Sequence, residues 1–468
     1  MNGADMRVVV VGAGLSGLTA AVELVDAGAE VTVLEADERV GGRMRGVPIR
    51  DGVTADGGAA YLGVRHTELL TMLDGYGLGL ASTGMDGDST FLLSDTRTTT
   101  KGRVPPLDAV ALGDLFDRLE ELVEQVRPDT PWLSHEADLR DQLTVARWLA
   151  EEVGHPDAQT FFPLFLGEMM AADPAKISVL HMAFYLRSGG GIRYLNAFEG
   201  GAQQWRVAGG SHQLCEAIAD RLGDRIRLGH RASVIDQTGD EVVVHCATGS
   251  DAAPVQYRAD RVVVAVPPLL AQGIDFRPGL RTPRATAATG PGCAVKVHLG
   301  YPAPLWREHG LSGWSVSSSG PLLSTVDDSP QDGSAGVLTG FVTGAAAPTF
   351  SALAPAEQEE AALAHIRRLF PQLPPPTTVT VTDWLTAEFS KGCYAALFGP
   401  GDWLQLGPGL TEPHGRVHWA GTETSLDFFG LMEGAIRSGR RAAAELTLGA
   451  ALVGVPAGTT NLNRSFVE

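Results

Sequence analysis

The stretch VVVVGAGLSGL, Val8 to Leu18, constrains this chain more than any other. Four consecutive valines predict a buried parallel strand that is apolar on both faces. Gly12, Gly14 and Gly17 then form GxGxxG. The first glycine permits a tight turn, the second lets backbone approach a pyrophosphate, and the third lets helix and strand pack closely. The run LTAAVELVDAG has helical spacing and stops at Gly28. Leu15 and Ser16 stand at its start, where free N–H groups and the positive dipole end favour phosphate. A second strand, EVTVLEA, ends at Glu35, and Ala36 follows it. An acid there accepts both ribose hydroxyls and disfavours a 2′-phosphate. Strand, glycines, helix, strand and acid in this order predict a dinucleotide site of Rossmann type.

The next residues, EADERVGGRMRG, favour FAD over NAD. Arg39, Gly41, Gly42 and Arg43 suit a second pass along a pyrophosphate, with backbone amides at the glycines and guanidinium forks on phosphate oxygens. Here the sequence resembles the flavin-dependent amine oxidase superfamily, with the monoamine oxidases closest in pattern. DGGAAYLG (56–63), EGGAQQWRVAGG (199–210), VVVAVPP (262–268), CAVKVHLGYPAPLWRE (293–308), DWLTAEFSKGCY (383–394) and GRVHWAGTETSLDFFGLMEGAIRSGRRAA (415–443) extend the resemblance over nearly the whole chain. It implies flavin contacts at Gly58, Ala59, Ala60 and Tyr61, and at Ala232.

Bulk properties agree with a globular protein. At 44% apolar and 19% charged, the 468 residues exceed what one small core needs. A net charge of 36 − 55 = −19 argues against nucleic acid and anionic membrane surfaces. Cys215, Cys246, Cys293 and Cys393 are scattered and form no CxxC, so neither a metal site nor a disulfide framework is expected. No signal peptide and no run long enough to span a bilayer is visible. A reduced cytoplasm, a non-membrane protein and room for a homodimer are the expectations.

The expected fold is α/β. A Rossmann-like FAD domain built from about 1–80, 207–280 and 388–450 interleaves with a substrate domain of mixed sheet plus helices, about 81–206 and 281–387, and a tail covers 451–468. The discontinuity is implied by the resemblance. Periodicity adds helices in LGDLFDRLEELVEQV and PAEQEEAALAHIRRLF, strands in VKVHLGY, GVLTGFV and TVTVTDW, and a long last helix from about Gly430.

The resemblance also assigns chemistry. Gly421, Thr422 and Glu423 stand at the turn beside the FAD phosphates and ribityl chain. A helix starting near Gly430 points its amides, those of Leu431 and Met432 included, at the pyrimidine edge of the flavin. Lys296 holds a water at flavin N5, and desolvation favours its neutral form. On residue type alone, a lysine in CAVKVHL also suits the polar face of a surface strand. Trp384 packs near the flavin, and Tyr394 forms one wall of the aromatic pair that guides the amine. Cys393 stands where monoamine oxidases form a thioether to the flavin 8α-methyl; a free buried cysteine is the alternative.

Departures from the pattern concern the substrate. Leu431 replaces the second cage aromatic, with Phe428 and Phe429 beside it. Glu168, in FLGEMMAAD, replaces an apolar pocket residue and suits a second ammonium or a hydroxyl, although a solvated helix face suits it equally. Gln203 matches a glutamine lining the cavity. The expected reaction oxidises an amine to an imine, hydrolysed to a carbonyl, with O2 reduced to hydrogen peroxide. The alternatives are a flavin dehydrogenase or desaturase acting on a natural-product intermediate, an L-amino-acid oxidase with Arg65 or Arg193 facing the carboxylate, and a flavin-binding scaffold without activity.

Overall fold

The structure is a computed structural model that describes residues 6–248, 255–280 and 290–453. The expected tail lies outside the described residues from 454 onward. The valine run forms the strand Arg7–Val11, at the centre of a five-stranded parallel sheet. The spatial order is Ile226–Arg227, Glu30–Leu34, Arg7–Val11, Arg261–Val264, Val417–Trp419. Strand residues alternate faces, and here both faces are covered. Val8 and Val10 enter a core with the helix Leu15–Asp26 and the helix Met432–Val453. Val9 and Val11 enter a second core with Ile235, Val244 and Phe276. Burial of each side chain contributes about 1.5–3 kcal/mol relative to exposure.

Two glycines let the first helix sit where it does. Gly12 has φ +102°, a conformation that L side chains rarely adopt. A Cβ at Gly17 would stand 2.0 Å from the Gly12 carbonyl oxygen, so any larger residue pushes the helix off the strand. The last helix approaches as closely: a Cβ at Gly439 would stand 2.4 Å from the Ser16 carbonyl oxygen. At this crossing the Ser16 and Ser438 hydroxyls meet at 2.8 Å, and the Gly421 N–H donates to both.

A seven-stranded sheet faces the dinucleotide end. Its order is Thr378–Asp383, Ala294–Tyr301, Gly336–Thr343, Ser324–Asp327, Leu311–Ser317, Asp88–Leu93, Thr96–Lys101. Neighbours are antiparallel except Leu311–Ser317 on Asp88–Leu93. Val295, Val297 and Leu299 pack with Ile366 and Leu369 of the helix Pro355–Leu369. The residues between them, Lys296 among them, point to the other face. In register across that face stand Lys296, Phe341 and Ser324 on three successive strands. The helices Ala109–Glu124, Val145–Glu152, Pro156–Met170 and Val179–Ser188 form a third layer around Phe162, Phe165, Phe184 and Trp403.

Candidate active site

One continuous cavity begins at the first glycine turn and ends under the helical layer. At its near end lie Gly12, Gly14, Leu15 and Ser16, then Glu35 and Ala36, with Ala232 opposite. Gly14 caps the helix Leu15–Asp26, and neither a side-chain cap nor an acidic residue competes for its first-turn amides. A Cβ added at Gly14 meets nothing within 4 Å, so this backbone is open to the cavity. Such an end suits a diphosphate. Glu35 anchors the next segment: its carboxylate accepts from the Ala13 amide at 2.6 Å and the Asp37 amide at 2.9 Å. Burial pushes its pKa above the usual range, against those two amides. Two amides hold the carboxylate, and further lone pairs remain for ribose hydroxyls.

Arg39 and Arg43 both line the cavity, and each guanidinium also bonds protein oxygens. Arg39 donates to the carbonyl oxygens of Val40, Gly42 and Met44, so it shapes the second glycine loop from inside. Arg43 lines the cavity with Gly42, but both its terminal nitrogens are engaged. They form a bidentate pair with Glu423 at 2.6 and 3.0 Å, and one also donates to the Tyr394 carbonyl at 2.8 Å. Glu423 therefore does not line the cavity. It braces the loop that does, with Gly421 and Thr422 exposed to the cavity beside it. Gly17 likewise acts by packing.

Further along, Gly58, Ala59, Ala60 and Tyr61 form one wall and Gly430, Leu431 and Met432 another. The helix Met432–Val453 starts there, and its first-turn acid, Glu433, is turned away to the Leu69 amide and Arg437. The positive end of this helix therefore faces the cavity unneutralised. The Lys296 ammonium lines the cavity and is 2% exposed. It donates to the Asp56 carbonyl at 3.0 Å and the Gly58 carbonyl at 2.7 Å. Burial pulls its pKa below the usual range, and Asp328 and Asp56 oppose this. It is not a surface lysine. Trp384 stands one layer behind, its indole N–H donating to the Gly57 carbonyl at 2.7 Å, and it supports Gly58 from the back.

Cys393 and Tyr394 line the cavity and are joined by a cis peptide bond. Burial raises the Cys393 thiol to about 11, with Arg43 and Lys296 opposing. Burial also raises the Tyr394 phenol well above its usual value, helped by Cys393 and Glu168. Both side chains are neutral at pH 7. Glu168 and Gln203 line the same compartment, so Glu168 is not on a solvated helix face. Burial raises the Glu168 pKa, and Arg103 and the Trp314 N–H oppose this.

Phe428 departs from its expected place. It has φ +53°, packs edge-on against His66 at 5.1 Å, and lies under Arg437, away from the cavity. Phe429 enters the helical core between His181, Phe184 and Phe398. The reason is the turn at Phe428, which puts the leucine and not a phenylalanine on the cavity side. Arg65 and Arg193 are also absent from the lining. Arg65 lies over the Tyr194 ring and bonds the Gly190 carbonyl, and Arg193 is exposed beside Glu120. Sequence reasoning missed Arg103, Ser324, Phe341 and Tyr185, all cavity-lining. Ser324 and Phe341 are brought in by sheet register and Arg103 by a turn held to Asn196, which no local pattern announces. Among the described residues no cluster of three His, Cys, Asp or Glu is placed to hold a metal, and no helix is long and apolar enough to cross a membrane.

The glycine turns, the ribose acid, the second helix terminus and a buried lysine above one cavity define a flavin-linked oxidoreductase. Residues 15–447 match the family of flavin containing amine oxidoreductases, and the chain belongs to it. A Dictyostelium discoideum protein named as a flavin-containing monoamine oxidase A is 32% identical over 447 residues, 94% of this chain and 97% of that one. Cyclohexylamine oxidase from Brevibacterium oxydans superposes with a TM-score of 0.88 at 32% identity, covering 96% of this chain and 100% of that one. Putrescine oxidase bound to putrescine gives 0.88 at 28% identity, covering 95% and 99%. This protein is a flavin-containing amine oxidase, with FAD as its cofactor and an amine and O2 as its substrates.

Proposed function

We propose that this enzyme oxidises a small, largely apolar amine delivered in its neutral form between Tyr394 and Leu431. The carrying observation is the continuity of the cavity, from the amides of Leu15 and Ser16 to the side chains of Lys296, Tyr394 and Glu168. Bound FAD would supply the acceptor for the α-hydrogen and its two electrons, and O2 would carry these off with the proton lost from the amine nitrogen as hydrogen peroxide. The amine leaves as an imine, which water hydrolyses to a carbonyl compound and an amine or ammonia.

The residues do the positioning. Glu35 and the helix start at Leu15 hold the ribose and diphosphate, and the helix start at Met432 offers positive potential to the far end of the cofactor. Lys296 spends two donors on backbone carbonyls. Its remaining position faces the cavity and holds a water there. Tyr394 stays un-ionised and provides one flat wall, with Leu431 leaving the other open to non-planar substrates. No acid–base triad is required when an oriented neutral amine meets the ring in a dry site. In this reading the chain divides into the FAD and substrate domains given above, and four unpaired, buried cysteines support residence in the reducing cytoplasm.

The test is anaerobic bleaching of the flavin by a panel of primary, secondary and cyclic amines, diamines and amino acids. At least one neutral-tailed amine should bleach it rapidly. Bleaching by amino acids alone, or by none of the panel, would overturn the reading.

A further inference from the structure

The far end of the cavity carries a polar wall that the chemistry at the ring does not use. Glu168 lies in the last turn of the helix Pro156–Met170, and its carboxylate accepts from the Trp314 indole N–H at 3.3 Å, a long bond. The Arg103 guanidinium carbon lies 4.4 Å from the Phe198 ring centre and 4.7 Å from that of Trp314. Both terminal nitrogens of Arg103 donate to Asn196. Arg103 is thus clamped by its rings and its amide partner. It balances the charge of Glu168 from a distance, without a direct ion pair between them. Ser324 lies beside this wall: it stands in register with Val316, two residues along the neighbouring strand from Trp314 and on the same face. Ser324 is 1% exposed, lines the cavity, and its hydroxyl has no hydrogen-bond partner among the described residues.

We infer that Glu168 and Ser324 form a subsite for a hydroxyl group at the far end of the amine substrate. This rests on the amine-oxidase reading above and deepens it. A hydroxyl is both donor and acceptor. It donates to the free carboxylate oxygen of Glu168 and accepts from the unpartnered Ser324 hydroxyl. The other candidates fit less well. A second ammonium meets a carboxylate whose charge Arg103 already balances, so its desolvation goes uncompensated. A substrate carboxylate meets Glu168 directly, and Arg103 has its faces and terminal nitrogens occupied, with only its Nε–H unpartnered. An apolar terminus leaves Glu168 with one long bond in a closed site, and a site built around a hydroxyl discriminates against an analogue lacking it. The register supplies a length. Lys296, Phe341 and Ser324 face each other on successive strands, so Ser324 lies roughly 10 Å from Lys296 at the usual strand spacing. A medium-length aliphatic or cyclic amino alcohol bridges that span.

The experiment compares n-alkylamines, ω-amino alcohols and α,ω-diamines, matched in chain length from about four to eight heavy atoms, by anaerobic flavin reduction with the holoenzyme. At the best length, wild type should reduce with the amino alcohol about tenfold or more faster, per unit concentration, than with its methyl- or ammonium-ended isostere. Glu168→Leu should collapse that ratio to near one, whereas Glu168→Gln, which keeps a hydrogen-bonding group, should retain part of it. Ser324→Ala should lower it several-fold and guards against misfolding of the Glu168 variants. A wild-type preference for the diamine that Glu168→Gln abolishes would overturn the inference in favour of a second-ammonium site. The same ranking in wild type and Glu168→Leu would overturn it outright. Failure of every amine to reduce the flavin would instead remove the amine-oxidase reading beneath it.

Discussion

Replacing Glu423 by glutamine removes one charge from a buried pair while preserving shape. In the native site the Glu423 side chain is 1% exposed and holds three bonds: two from Arg43 and one from the Ala396 amide at 3.1 Å. The glutamine can keep one acceptor but leaves the Arg43 guanidinium without a counter-charge. Removing one partner of such a pair destabilises by about 3–5 kcal/mol. The retained hydrogen bond puts Glu423→Gln near the lower figure, about 3 kcal/mol. The assay is equilibrium urea unfolding followed by tryptophan fluorescence, at saturating FAD and without it. The double variant Arg43→Met, Glu423→Gln has no charge left to strand, so it should be more stable than Glu423→Gln alone, with a coupling of at least about 2 kcal/mol. The pH dependence has a definite sign. Burial raises the Glu423 pKa but Arg43 outweighs it, so the folded value lies below the usual glutamate range. Its contribution is therefore complete above about pH 4.3 and is lost as pH falls through the folded value. The gap between wild type and Glu423→Gln should narrow in that acid limb and not at pH 7–9. A loss under about 0.5 kcal/mol, or strict additivity in the double variant, would refute the reasoning.

Three further outcomes follow from placement. Glu35→Ala should speed loss of FAD on dialysis by about tenfold or more, since it removes the ribose acid and frees the Ala13 amide; unchanged retention would mean that the acid only shapes the turn. Lys296→Met should slow flavin reduction, reoxidation by O2, or both, by at least about tenfold, roughly 1.4 kcal/mol of barrier, and stopped-flow rates equal to wild type in both half-reactions would exclude a role at the ring. If Cys393 is bonded to the flavin, acid precipitation leaves a yellow pellet that Cys393→Ala turns colourless; a colourless wild-type pellet restricts Cys393 to lining the site.

Local pattern carried the first turn of the fold far. Four valines, three glycines and one acid are contiguous, and each has a steric or electrostatic reason that acts within a few residues. The lysine was harder. Around it Val295, Lys296, Val297, His298 and Leu299 alternate apolar and polar, the usual sign of a strand with one wet face, yet here both faces are buried. Resemblance supplied it. Resemblance also placed Trp384 and Glu423 at the site, but not their depth in it: one props a glycine and the other holds an arginine. Phe428 was misplaced because one left-handed residue reverses which side of a turn faces inward. Arg103 and Ser324 were invisible for another reason. Ser324 reaches the cavity only when distant strands pair in one register, and Arg103 only when the turn after Thr96–Lys101 is held to Asn196; short windows contain no information on either.

The serine–serine contact between the first and last helices joins residues 422 positions apart. A nascent chain therefore leaves the ribosome with its glycine turn made and its sheet lacking the edge strand Val417–Trp419. At about 5–20 residues per second, roughly 20–85 s separate synthesis of Ser16 from that of Ser438. Throughout that interval the early strands have an open edge and an unfilled helix groove, where a chaperone can bind and where premature pairing between chains can start. The flavin cavity, lined by Gly421, Met432 and Ala435 as well as by Gly12, is complete only once nearly the whole chain has been made.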